Sequence, residues 1–168
     1  MRVAVTGTPG TGKTTAVGRV ETDLHVVHLN DVIREEGLTG GYDDQRDSAI
    51  ADLAAVREWL GDRSGVLIEG HLAHELDVDR VVVLRCHPEE LERRLRERGE
   101  PAAKAAENAE SEALDLLLSE AVERHGTSAV YEIDATDRAP AGVAAEIEAV
   151  LAGERDPSAG EVSFLEYL

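Results

Sequence analysis

The stretch Val3-Ala4-Val5-Thr6-Gly7-Thr8-Pro9-Gly10-Thr11-Gly12-Lys13-Thr14-Thr15 decides how the chain is read. An apolar run leads into a glycine-rich turn, and Lys-Thr follows the last glycine. This is the phosphate-binding loop pattern G-x-x-x-x-G-K-[ST], in the setting that gives it meaning, a strand before and a helix after. Gly7, Gly10 and Gly12 permit a tight turn whose backbone N–H groups face inward around a polyphosphate. The following helix adds unpaired N–H groups and a positive dipole end. Lys13 supplies a point charge for the β- and γ-phosphates, and Thr14 a hydroxyl for Mg²⁺. Gly10, Gly12, Lys13, Thr14 and Thr15 are therefore the expected ATP-binding set. A glycine-rich turn that binds nothing is the rival reading. It requires neither Lys-Thr after the last glycine nor a buried strand beginning at residue 2.

Working outward, 168 residues are enough for one domain with a substantial core. Met1-Arg2 leads straight into a strand, and no apolar run reaches the roughly 20 residues of a membrane helix, so a soluble cytoplasmic protein is expected. Cys86 is the single cysteine, which excludes an internal disulfide and a cysteine-based zinc framework. Charge is the unusual quantity: 35 acidic against 17 basic residues give a formal −18. Lys13 and Lys104 are the only lysines. Apolar periodicity along most of the chain argues against disorder despite that charge. An acidic, lysine-poor surface suggests a salt-rich, halophilic cytoplasm, where screening shortens to about 3 Å at 1 M. It also argues against a broad nucleic-acid-binding face, which needs a basic patch.

Strands are expected at 2–6, 25–29, 66–69, 80–85 and 129–133. Helices are expected at 13–22, from Asn30 or Asp31 to Glu36, and at 48–61, 88–98, 103–125 and 141–152. Tyr42 to Asp47 reads as a polar, mobile loop. Five apolar strands alternating with helices imply a three-layer α/β/α fold around a five-stranded parallel sheet. Ligands in such folds sit at the carboxyl ends of the strands, where the phosphate loop, Asp31, Glu69, His71 and Cys86 all fall.

Glu69 ends the third buried strand with Gly70 after it, the placement of the second acidic motif of phosphate-loop enzymes. Its carboxylate would hold Mg²⁺ or orient an attacking group; a turn cap is the plainer alternative. His71 allows a proton shuttle, a phosphate hydrogen-bond donor or a satisfied turn residue. His74 reads as surface. Arg94 and Arg98 share one helical face, able to close over a nucleotide or to form a solvated face with neighbouring glutamates. Arg34, followed by a glycine-rich loop, is either a second anion site or another surface charge.

Together these residues resemble the archaeal and eukaryotic type-six adenylate kinases, a branch of the nucleoside monophosphate kinases also linked to small ribosomal subunit maturation. The resemblance spans residues 1 to about 150. Besides the phosphate loop it rests on Asp31-Val32-Ile33-Arg34-Glu35-Glu36 with Gly41-Tyr42-Asp43, and on Glu69-Gly70-His71. Val81 to Arg85, Arg94 to Gly99, Glu107-Asn108, Glu110 and Glu112 complete it. It implies a kinase domain over 1–152, with a monophosphate-binding segment at about 28–51 and a short lid at about 97–107. By the same resemblance Asp31 and Arg34 face the acceptor and Arg98 packs on the ATP base. Thr14 and Glu69 hold Mg²⁺, and Lys13, Glu69, His71 and Arg98 carry catalysis. Glu69 stands where Asp is expected and Glu100 where an aromatic is usual. The acidic tail 153–168 has no counterpart, and its Phe164, Leu165, Tyr167 and Leu168 either dock on the sheet, the plainer expectation, or present a motif to a partner.

The resulting expectation is transfer of the γ-phosphoryl of Mg·ATP to AMP, giving two ADP. The alternatives are an ATPase assembly factor that binds a basic small-subunit platform ribosomal protein, and a phosphate-loop kinase for a small metabolite.

Overall fold

Strand β1 (Arg2–Gly7) lies at the centre of a five-stranded sheet in the computed structural model, which describes residues 1–43 and 48–168. Its neighbours are β5 (Val66–Glu69) and β6 (Arg80–Arg85), and β2 (His25–His28) and β7 (Val130–Asp134) close the two edges. Every pairing is parallel. Parallel pairing requires crossovers, and the helices supplying them bury both faces, so these strands are apolar almost without alternation.

Successive residues nonetheless serve different layers. Ala4, Ile68, Val81, Val83 and Val130 pack on one side with Val56 and Leu60 of α3 (Leu53–Leu60), and with Leu118 and Ala121 of α6 (Leu116–His125). Val3, Val5, Leu67, Val82, Leu84 and Ile133 pack on the other. They meet Ala16 and Val17 of α1 (Lys13–Val17), and Val143, Ile147 and Val150 of α7 (Pro140–Leu151). This is the expected three-layer α/β/α arrangement. A small third cluster of Cys86, Leu91, Leu95 and Ala105 joins α4 (Pro88–Glu97) to α5 (Ala102–Ala113).

Three helix expectations are corrected. The helix after the phosphate loop ends at Val17 rather than residue 22, passing into three-residue turns in which Arg19 N–H meets Ala16 O and Val20 N–H meets Val17 O. Residues 48–51 are not helical. They form β4 (Ser48–Ala51), antiparallel to β3 (Thr39–Asp43), and α3 starts only after Asp52, whose side chain caps it by accepting from Ala55 N–H at 3.1 Å. Ile50 fits a helical period and a strand alike, so spacing did not separate them. Tyr42 and Asp43 thus lie in a strand; residues 44–47 of the expected loop are outside the described residues.

The long helix expected over 103–125 is two helices. Asp115, at φ 55°, sits between α5 and α6, and its carboxylate accepts from Arg85 Nη2 at 2.5 Å. A buried guanidinium thus draws the backbone into a conformation that apolar periodicity does not register. The tail after α7 lies along β7: Ser158 N–H meets Val130 O at 3.0 Å, and Phe164 is buried over Arg85 and beside His87. Among the described residues, no helix is long and apolar enough to cross a membrane.

Candidate functional site

The loop between β1 and α1 is built around its own carbonyls. Gly10 and Gly12 have φ of 94° and 90°, the left-handed region that glycine enters without penalty. A β-carbon at Gly10 would also stand 3.0 Å from Leu91 and Leu95, so α4 packs against bare backbone there. Thr11 N–H and Thr11 Oγ1 both donate to Thr8 O, at 3.2 and 2.9 Å. Lys13 is buried, with Nζ donating to Gly7 O at 2.9 Å and Thr8 O at 3.3 Å. Burial lowers its pKa to about 8, partly opposed by Glu69 and Glu112 and aided by Arg98. Because α1 has five residues, the loop amides and Lys13, not a long helix dipole, are the positive features here.

Glu69 is 5 % exposed at the carboxyl end of β5. Its Oε1 accepts from the Thr14 hydroxyl at 2.9 Å, and its Oε2 lies 2.8 Å from His28 Nδ1. Sheet register makes both contacts: Glu69 is level with Val5, just before the loop, and with His28 on β2. Two hard oxygen donors thus face each other at the mouth of the phosphate loop. That donor set suits Mg²⁺, which takes oxygen ligands and keeps several waters, and does not suit a soft metal. His28 was not singled out from the sequence; only its strand-pair register identifies it.

Beside the loop lies a cleft of about 340 Å³, between Gly12 and Thr15 on one side and Arg94, Arg98, Arg138 and Val143 on the others. Arg94 is half-buried, donates to Gly10 O at 3.4 Å and pairs with Glu90 at 3.3 Å. Arg98 is more exposed, 3.9 Å from Glu100. The same lining therefore contains both expected arginines and Thr15. It adds Arg138 and the residues leading into α7, contributed by the strand next to β6 and absent from the sequence reading.

A protein-family model described as an AAA domain matches residues 3–115. A protein of Natronomonas pharaonis named "Putative adenylate kinase" is 64% identical over 168 residues, all of both chains. One of the same name from Methanothermobacter thermautotrophicus is 42% identical over 169 residues, covering 99% of this chain and 98% of its own. The chain belongs to the adenylate-kinase-like family of phosphate-loop proteins. Among solved structures, shikimate kinase from Bacteroides thetaiotaomicron superposes with a TM-score of 0.51 at 18% identity, covering 91% of this chain and 98% of its own. At that identity the likeness concerns the fold alone.

Other expected positions of this adenylate-kinase-like chain are arranged less closely. His71 is partly buried, and burial together with the Lys13 charge lowers its pKa to about 4, so the ring is neutral near pH 7. Asp31 and Arg34 pair with each other at 2.7 Å across one turn of α2 (Leu29–Glu35), both largely exposed. Cys86 is buried, which pushes its thiol up to about 12 and leaves no thiolate for chemistry.

His74 is a correction: it is 1 % exposed and not a surface residue. Its Nδ1 lies 2.9 Å from Thr6 Oγ1 on β1, and its Nε2 2.8 Å from Glu120 and 3.4 Å from Glu75. Histidine and two glutamates thus come together here, with Thr6 fixing Nδ1 and the glutamates taking Nε2 as a hydrogen-bonded cluster.

Proposed function

We propose that the chain is a type-six adenylate kinase that transfers the γ-phosphoryl of Mg·ATP to AMP. The observation that carries the reading is the Thr14–Glu69 contact at the mouth of the phosphate loop, beside an arginine-lined cleft. Lys13 binds the β- and γ-phosphates, and Gly10, Gly12 and Thr15 contribute backbone to the same cradle. Thr14 and Glu69 hold Mg²⁺, which when bound neutralises charge on the transferring phosphates. Arg98 packs on the adenine while Arg94 and Arg138 border it. On this reading residues 1–152 are the kinase domain, 97–107 its lid, and Asp31 and Arg34 the acceptor side.

Positioning and electrostatics carry the chemistry, with no covalent intermediate. Neutral His71 suits orienting a water or the acceptor by hydrogen bonding without adding charge, while its lowered pKa makes it too weak a base to hold the proton itself. It also supplies the specific ground for a second reading, in which ATP is hydrolysed and the turnover serves small-subunit ribosomal maturation. The partner would then be a basic platform ribosomal protein, matched to a chain of formal charge −18. The same charge supports function in a salt-rich cytoplasm.

Acceptor competition tests the kinase reading. With Mg·ATP in molar KCl, AMP is expected to stimulate ADP formation well beyond other nucleoside monophosphates or a small hydroxylated acid. Stimulation by the hydroxylated acid alone would mark a metabolite kinase instead.

A further inference from the structure

Glu112 lies near the end of α5, far in sequence from the phosphate loop, yet it is 3 % exposed and fully engaged. Its Oε1 accepts from the Thr8 hydroxyl at 3.0 Å. Its Oε2 accepts from Cys86 N–H at 2.8 Å and Arg85 Nε at 3.3 Å, while its carbonyl accepts from Arg85 Nη2 at 3.1 Å. Thr8 is equally buried, at 3 %. Its carbonyl accepts from Thr11 N–H, Thr11 Oγ1 and Lys13 Nζ, so wherever Thr8 is held, the lysine's resting place is fixed.

A buried carboxylate so near a polyphosphate site would repel the ligand unless it were neutralised. Arg85 offsets part of that charge, its single guanidinium being shared with Glu132 at 2.8 Å and Asp115 at 2.5 Å, and burial raises the Glu112 pKa, which lessens the repulsion further. Two acceptor oxygens and three donors leave Glu112 one orientation. A simple core packing role calls for none of this: an apolar residue would fill the space without the cost of burying charge.

We propose that Glu112 is a positioning residue of the nucleotide site, clamping Thr8 so that the loop and Lys13 are preorganised for the β- and γ-phosphates. Ordering of the loop is then complete before binding instead of being charged against affinity. The clamp also joins the loop to the C-terminal end of α5, the helix whose first half lies within the lid segment, so a shift of α5 is felt at the phosphates. This inference rests on the nucleotide-binding reading above and deepens it.

Titration calorimetry of Mg·ATP and of AMP separately, with thermal unfolding in parallel, tests it on Thr8→Val, Glu112→Gln and the double variant. Thr8→Val, similar in shape but without the hydroxyl, is expected to weaken Mg·ATP about tenfold, the scale of one buried hydrogen bond. AMP binding should not change. Glu112→Gln should weaken Mg·ATP as well, the double variant no more than the worse single one, and Thr8→Ser should recover most of the loss. Unchanged Mg·ATP affinity with a lowered unfolding midpoint would overturn the proposal, as would additive losses. If the wild-type chain itself failed to bind Mg·ATP, the nucleotide reading would fall and this inference with it.

Discussion

The Thr14 hydroxyl donates to Glu69 Oε1 at 2.9 Å, joining the first turn after the phosphate loop to the end of the neighbouring strand. The two residues are 55 positions apart and meet because β1 and β5 are parallel and in register, Val5 level with Glu69. In a parallel sheet all such ends emerge on one side, so a strand-end acid and a loop hydroxyl converge with no special device.

Glu69→Gln keeps the shape and removes the charge. It is expected to lower turnover with Mg²⁺ about 10- to 100-fold, while magnesium-free ATP binding stays near wild type. Steady-state kinetics at several Mg²⁺ concentrations separate the two effects. Glu69→Asp, one methylene shorter, cannot span both Thr14 and His28 and should fall in between.

Lys13 makes nucleotide affinity depend on alkaline pH. Its pKa in the free protein is about 8, below the usual 10.5, because burial disfavours the ammonium. A bound polyphosphate favours the charged form and raises that pKa. Binding should therefore take up close to one proton just above pH 8, and affinity should drop about tenfold per unit there. Calorimetry in buffers of different ionisation enthalpy measures the uptake, and Lys13→Met should abolish it. For folding the sign is opposite: the cost of burying the ammonium is present below pH 8 and is relieved between 8 and 10.5.

His71 should show no protonation near pH 6.5. Its folded pKa is lowered to about 4, so the stability linked to it is present above 6.5 and lost as pH falls from 6.5 through 4. Imidazole nitrogen shifts measured by NMR across pH 4–8 test this. A midpoint close to 6.5 would show the ring to be solvated and remote from Lys13.

The tail acts as a strap over β7. Phe164 is 6 % exposed, 5.4 Å from both the Arg85 guanidinium and the His87 ring, and Glu132 accepts from Gly160 and Glu161 N–H. Phe164→Ala is expected to cost about 3 kcal/mol, and hence about 6–12 °C in the unfolding midpoint. Calorimetric melting of the full chain checks it.

Why some of this was legible in the sequence and some was not follows from the forces involved. The phosphate loop is local: glycines and Lys-Thr must be consecutive for the turn to form, so the string itself reports the geometry. Both-face burial likewise marks Val81 to Leu84 as a strand without reference to its neighbours. Glu69 could be assigned because a strand end is visible as the end of an apolar run.

The His28–Glu69 and Thr8–Glu112 contacts and the place of Arg138 in the cleft could not be read, since each depends on strand order or helix packing across dozens of residues. His74 misled for a related reason. Flanked by Ala73 and Glu75 it looks exposed, yet Thr6 and Glu120 supply partners that make its burial tolerable. The break at Asp115 is set by Arg85, thirty positions earlier.

The destination of the γ-phosphoryl group tests the central claim most directly. ATP labelled at the γ-phosphorus would be incubated with the protein, Mg²⁺ and molar KCl, with and without AMP. Label is expected to appear in the β-position of ADP, only when AMP is present, with little free phosphate. Label released as inorganic phosphate at the same rate with or without AMP would contradict phosphoryl transfer to AMP and identify a hydrolase.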